Sequence, residues 1–369
     1  MKKACIITFH ASHNYGSALQ AYALQTTIKK LGLECEILNF RTERQRDLYN
    51  VFTKRRGIKY IFKNASHLLR YRSLKKKYNL FEEFIAKHLC LGNREYTCLE
   101  ELTDNPPDYD YYISGSDQIW NPIPADFDWA YYLPFVRRGI KISYAASFGP
   151  VGSITDSEVG EKIGTYIKQY DYVSVREARS KEIADRLAGC DAQIVLDPTL
   201  LLGKSDWEEL IEGQPEIKNE YILFYTLFAD REMIKIVSQI SKKLKLPVIV
   251  TNFSNQYDVF TPFNMKLATG PIEFINLIKN AKLVCTSSFH GTVFSIIFQK
   301  PFYAIRGMND KRISTLLSVV GLEDRALNIS NLKEKIDNVY DIDFSKAQSS
   351  LEDKRERSLR FIRKSLNLE

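Results

Sequence analysis

The chain has 369 residues, 44% of them hydrophobic, enough for two domains with cores of their own, and this excludes a disordered protein. Its formal charge of +7 is concentrated between Arg41 and Lys77, so the sequence is regionally rather than globally basic. With no CxxC pair, no secretory leader and no apolar run of membrane-span length, the six cysteines read as reduced core residues and a cytoplasmic location is expected.

Residues 3–9 predict a compact apolar strand, 10–17 a polar turn, and 18–31 a helix with Leu19, Tyr22, Ala23 and Ile28 on one face. Residues 34–40 give the next strand, and this order opens a doubly wound parallel sheet. The basic segment over about 41–91 reads as a helical insert in which Tyr49, Tyr60, Phe62, Tyr71 and Tyr78 are interleaved with Lys and Arg. Such a face suits nucleic acid, an anionic glycan or lipid phosphates, or plain solvent exposure of helices. The reading kept is peripheral contact with the inner membrane face and no nucleic-acid partner. Strands return at 109–114, 140–145, 172–175 and 193–196, with a helix at 181–187. Over 201–220 the sequence turns polar, and Gly203, Gly213 and Pro215 mark a linker. Strands at 221–226, 247–251, 283–285 and 301–305 then alternate with helices at 233–244, 271–280, 292–298 and 313–320, and 344–368 reads as a charged amphipathic helix. The expected fold class is α/β, with one domain over 1–205, a second over 206–343 and a C-terminal helix over 344–369. Ligands of such domains sit at the carboxyl ends of strands, which places them in the cleft between the two.

The candidate site residues lie in loops that follow strands. In His10-Ala-Ser-His-Asn-Tyr-Gly-Ser17, Asn14, His13 and the amides of Gly16 and Ser17 can face a ligand, but no G-x-G-x-x-G is present to hold a dinucleotide. In Ser114-Gly-Ser-Asp-Gln-Ile-Trp-Asn121, Gly115 permits a sharp turn beside Ser116, Asp117 can take hydroxyl protons, and Trp120 can offer a sugar an apolar face; a helix cap and a core tryptophan are the plainer alternatives. Small residues over Ala145-Ala-Ser-Phe-Gly149 allow close backbone approach or simply pack. Arg176 directly follows an apolar strand and is expected to project a guanidinium fork toward carboxylate or phosphate, whereas Arg179 reads as a surface residue and Asp197 as a turn former. In Thr286-Ser-Ser-Phe-His-Gly-Thr292, strand gives way to helix, so amides and the positive end of the helix dipole converge where Ser287, Ser288, His290, Gly291 and Thr292 cluster; an anion, typically phosphate, is stabilised there. The alternative is a serine cap beside a satisfied histidine. The five histidines have no partners at ligand spacing, so no metal site is expected.

The set Asn14-Tyr-Gly-Ser17, Ser114-Gly-Ser-Asp-Gln-Ile-Trp120, Ser174-Val-Arg-Glu177, Leu196-Asp-Pro198 and Ser287-Ser-Phe-His-Gly291 resembles the polysaccharide pyruvyl transferase family over roughly 6–321. The resemblance implies two facing Rossmann-like domains, similar to the GT-B glycosyltransferases, and transfer of a pyruvyl unit from phosphoenolpyruvate to a saccharide as a ketal. No cofactor beyond that donor substrate is implied. Arg176 and His290 match the family's arginine and histidine of the donor site. The chain departs from the pattern at Ser288, where many relatives carry arginine; Lys311, Arg312 or Arg306 can supply the charge. On this reading His290 moves a proton, Asp117 assists the attacking hydroxyl, and the acceptor is a free or lipid-linked saccharide. A nucleotide-sugar glycosyltransferase of the same shape and a non-catalytic glycan-binding relative are the alternatives.

Overall fold

The computed structural model describes residues 2–54, 57–150, 154–251 and 263–368. The chain divides into two units: Met1–Tyr71, Phe81–Leu202 and Lys354–Glu369 form unit 1, and Arg72–Leu80 with Gly203–Asp353 form unit 2.

The first half runs β1 (Lys3–Ile7), α1 (Tyr15–Lys30), β2 (Glu34–Ile37), α2 (Glu43–Tyr49), α3 (Ile58–Leu69), α4 (Tyr71–His88), α5 (Leu99–Asp104), β3 (Tyr111–Ser114), β4 (Ile140–Ala146), α6 (Glu158–Ile167), β5 (Tyr172–Val175), α7 (Ala178–Ala188) and β6 (Gln193–Ile194). The expected basic insert is helical as α2 to α4, with Arg55 and Arg56 of its Lys-Arg-Arg cluster outside the described residues. The sheet of unit 1 has the order β2-β1-β3-β4-β5-β6, every pairing parallel. Covered on both faces, its central strands are buried along nearly their whole length and largely apolar, as in Ala4, Ile6 and Ile7 of β1.

The second half runs α8 (Lys204–Leu210), β7 (Ile222–Tyr225), α9 (Arg231–Leu244), β8 (Val248–Thr251), β9 (Asn264–Met265), α10 (Pro271–Asn280), β10 (Leu283–Thr286), α11 (Phe289–Ile297), β11 (Phe302–Ile305), α12 (Lys311–Val320), β12 (Ala326–Leu327), α13 (Leu332–Lys335) and α14 (Ser345–Ser365). Its parallel sheet has the order β12-β11-β10-β7-β8-β9, with the first three strands running outward to one side and the last three to the other. That is the Rossmann order, and its chain reversal lies between β7 and β10. In unit 1 the reversal lies between β1 and β3.

Several expectations shift. Residues 204–210 of the supposed linker are helix α8, because Trp207 is fully buried and meets the Phe294 ring edge-on at 4.9 Å. Helix α6 was not anticipated, nor were the two-residue edge strands β9 and β12. Residues 345–353 of α14 belong to unit 2 and the remainder to unit 1, where Ser358 Oγ accepts from the Leu196 amide at 3.0 Å. Cys5, Cys35 and Cys285 are buried as expected, but Cys90 is exposed. Among the described residues, no helix is long and apolar enough to cross a membrane.

Candidate functional site

In each unit the candidate residues gather where the strand order reverses, the place at which open parallel sheets leave a crevice at their carboxyl edge.

In unit 1 this point lies between the loops after β1 and β3. Helix α1 begins at Tyr15, three residues earlier than expected, because Asn14 caps it by accepting from the Gly16 amide at 3.0 Å. Asn14 and the Gly16 N–H therefore satisfy each other. Buried Gln20 clamps the two loops: its amide nitrogen donates to Thr8 Oγ1 at 2.8 Å and its oxygen accepts from the Ser116 amide at 3.1 Å. Gly115 is required by close approach, since a Cβ there would lie 2.0 Å from the Tyr144 carbonyl oxygen, and its φ is +142°. Asp117 adopts φ 73°, a left-handed conformation that short polar side chains tolerate, and accepts from Ser17 Oγ at 2.5 Å and from the Gln118 amide at 2.8 Å.

Two expectations change here. Trp120 is fully buried, stacked on Tyr132 at 5.6 Å and flanked by Phe148 and Tyr170, so it is core and offers no face to a sugar. Arg176 is buried as well: Nη1 donates to Asp197 Oδ2 at 2.9 Å, Nε donates to Glu177 Oε2 at 3.3 Å, and Asp117 Oδ1 stands 4.0 Å from Nη1. Burial works against its charge, yet Glu177, Asp197 and Asp117 together raise its pKa. Asp197 is the expected turn former, accepting from the Thr199 amide at 3.0 Å, and an ion-pair partner too. Glu177 also accepts from Ser147 and Ser180.

Sequence reasoning missed a second carboxylate. Asp126 accepts from the Tyr49 hydroxyl at 2.9 Å and Ser12 Oγ at 3.3 Å, and burial, with the Asp117 charge adding to it, raises its pKa. Its only signal was its place in the proline-rich loop after β3. His13 meets Glu82 at 2.8 Å, and Arg41 holds the same carboxylate with two hydrogen bonds.

In unit 2 the point of reversal lies between the ends of β7 and β10. Ser287 Oγ meets Thr226 Oγ1 at 2.6 Å across it, and Thr286 Oγ1 accepts from the Ser288 amide at 3.0 Å while donating to the Tyr225 carbonyl at 2.7 Å. Helix α11 starts at Phe289, so His290 stands in its first turn, with Ser288 as an N-cap that makes no side-chain cap bond and no acid in that turn. Gly291 packs on the strands: a Cβ would lie 2.3 Å from Thr286 Oγ1 and 2.9 Å from Tyr225 Cδ1. Thr292 is buried, its hydroxyl donating to the Ser288 carbonyl at 3.2 Å. Of the cations considered for the charge absent at Ser288, Arg312 is beside this turn, its guanidinium 5.9 Å from the Phe289 ring centroid while it pairs with Asp310 at 2.7 Å. Lys311 is exposed. Arg306 is held by Asp230 and Glu232.

The family model described as polysaccharide pyruvyl transferase matches residues 14–307. No curated protein matches significantly. Among solved structures, the UDP-GlcNAc 2-epimerase from Neisseria meningitidis bound to UDP-GlcNAc is similar at TM-score 0.56 and 9% identity, covering 100% of both chains. The S. aureus MnaA-UDP co-structure gives 0.55 and 12% identity over 100% of this chain and 98% of that one. The Methanocaldococcus jannaschii UDP-GlcNAc 2-epimerase in complex with UDP-GlcNAc and UDP gives 0.54 and 12% over 98% and 99%. At such identities the likeness shows the fold, two Rossmann-like domains of the GT-B class.

Proposed function

The chain belongs to the polysaccharide pyruvyl transferase family, and from that premise we propose that it moves the pyruvyl unit of phosphoenolpyruvate onto two hydroxyls of a saccharide as a ketal. The observation that carries this reading is the turn from Ser287 to Gly291, a hydroxyl-lined helix start with a histidine and no acid in its first turn. Amides and dipole at a helix start favour a multiply charged anion, and the Arg312 guanidinium, paired with Asp310, stands nearby.

On this reading His290 gives a proton to the methylene carbon, whose double bond supplies the electron pair, and the central carbon becomes electrophilic. A first hydroxyl oxygen bonds to that carbon, the carbon–oxygen bond to phosphate breaks with its pair going to phosphate, and a second hydroxyl closes the ketal. Of the two hydroxyl protons, one restores His290 and the other leaves with phosphate.

The test is a thermal-shift titration with phosphoenolpyruvate and, separately, UDP-GlcNAc, followed by phosphate release with a panel of saccharide acceptors. Phosphoenolpyruvate should raise the melting temperature by binding the folded state alone. His290→Ala should lower turnover by about 10²–10⁴-fold, the range for a lost acid–base group. Stabilisation by UDP-GlcNAc alone would overturn the donor assignment, and near-wild-type turnover in His290→Ala would overturn the proton role.

A further inference from the structure

Helix α3 is mounted with its polar side inward. Asn64 Oδ1 accepts from the Thr53 amide and its Nδ2 donates to the Thr53 carbonyl, each at 3.1 Å, and His67 Nδ1 lies 2.6 Å from the Val51 carbonyl oxygen. At ~100° per residue, Ile58, Ile61, Phe62, Ala65, Leu68 and Leu69 fall on one third of the helix circumference. A globular protein turns such a stripe into its core, yet all six residues are exposed, Phe62 at 71% and Leu69 at 90%. The charge around them is one-sided. Residues 48–81 hold 10 Lys and Arg and no Asp or Glu, so the rest of the chain carries 42 of the 52 cations against all 45 acids, a net of −3.

We propose that α3 docks the protein on an anionic lipid bilayer, the apolar stripe entering the headgroup boundary and the neighbouring Lys and Arg pairing with lipid phosphates. An exposed apolar stripe within a cation-rich, acid-free segment is the signature of an interfacial helix, and neither half suffices alone: burial holds the helix down while charge selects the anionic surface. A protein partner of ordinary mixed charge would be repelled by so uniform a field as often as attracted. The inference rests on α3 and its charge and stands independently of the donor assignment. Docked there, the enzyme would meet a lipid-linked acceptor at the surface that carries it.

The full chain is floated with vesicles of phosphatidylglycerol and phosphatidylethanolamine, and with phosphatidylcholine alone, neither containing saccharide. Wild type should float with the anionic vesicles, less so as salt rises. The double variant Phe62→Ser, Leu69→Ser, altered only at exposed positions, should bind about tenfold or more weakly at an unchanged melting temperature, because apolar burial is lost. Phe62→Trp should show a blue-shifted emission on adding those vesicles. No flotation of wild type at low salt overturns the proposal, as does equal flotation of the double variant, which would mean surface adsorption by charge alone. Self-association of wild type that the double variant abolishes, without lipid binding, assigns the stripe to a second copy and overturns it too.

Discussion

Arg176 sits directly after β5, where a ligand-binding side chain is expected, yet its guanidinium is taken up by Asp197, Glu177 and Asp117 inside unit 1. The position was legible from the sequence, because an arginine ending an apolar strand must lie at the carboxyl edge of the sheet. Its partners were not: Asp197 is 21 residues away, and only the fold brings it to 2.9 Å. The consequence is energetic. Removing one member of a buried ionic group leaves the others uncompensated, so Arg176→Ala should lower stability by about 3–5 kcal/mol, with Arg176→Lys intermediate because it keeps the charge but loses the fork. Urea denaturation at neutral pH measures both, and an Arg176→Ala midpoint within error of wild type would remove the ionic group from the account. Trp120 carries the same lesson. A tryptophan beside an aspartate suits a sugar by chemistry, but Tyr132, Phe148 and Tyr170, distant in sequence, enclose it.

Among the elements, helix α11 is the one on which the candidate chemistry depends, and its placement is set by Gly291. With Thr286 and Tyr225 within 3 Å of where a methyl would stand, Gly291→Ala must push the helix start away from β10 and β7. Overpacking of this kind costs about 1–3 kcal/mol. Because the displaced turn is the one assigned to the donor, phosphoenolpyruvate should stabilise this variant far less than wild type in the same thermal-shift titration; an equal shift in both would separate the donor site from α11. The Ser-Ser-Phe-His-Gly run announced this turn because an apolar strand, small hydroxyl residues and a resumed helical period leave few alternatives. Helix α8 announced nothing. Lys204-Ser-Asp-Trp-Glu-Glu-Leu210 is polar at most positions, and a single tryptophan packed on Phe294 fixes it, too little apolar signal for periodicity to register. Edge strands β9 and β12, two residues each, fall below any periodic pattern.

Across the whole chain, the alternation of apolar runs and helices was enough to predict two doubly wound sheets, since strands covered on both faces are largely apolar. The balance of protons was not legible, because it depends on burial. His10, at 1% exposure, has its pKa lowered to about 4 from an ordinary 6.5, first by burial and then by the Arg41 charge, against opposing contributions from the Thr8 carbonyl and Glu82. A depressed folded-state value means that the unfolded chain takes up the proton first on acidification. The stability attached to neutral His10 is therefore whole above pH 6.5 and is lost progressively down to about pH 4. At about 1.4 kcal/mol per pKa unit, the full loss comes to roughly 3 kcal/mol. Glu82 extends the loss to lower pH. Burial alone would raise its pKa, but hydrogen bonds from His13 and Arg41 hold it at about 2 against an ordinary 4.5, so its contribution persists below the range in which His10 titrates. The urea midpoint of unit 1 should accordingly fall between pH 7 and pH 5 in wild type and fall much less in His10→Gln, where half-buried His88 leaves a small slope of the same sign. Below pH 4 the two curves should run parallel, since both chains then lose the Glu82 contribution. A wild-type midpoint that stays level from pH 7 to pH 5 would mean that His10 takes up its proton without opening the fold, and that burial at the end of β1 costs the imidazolium far less than its surroundings imply.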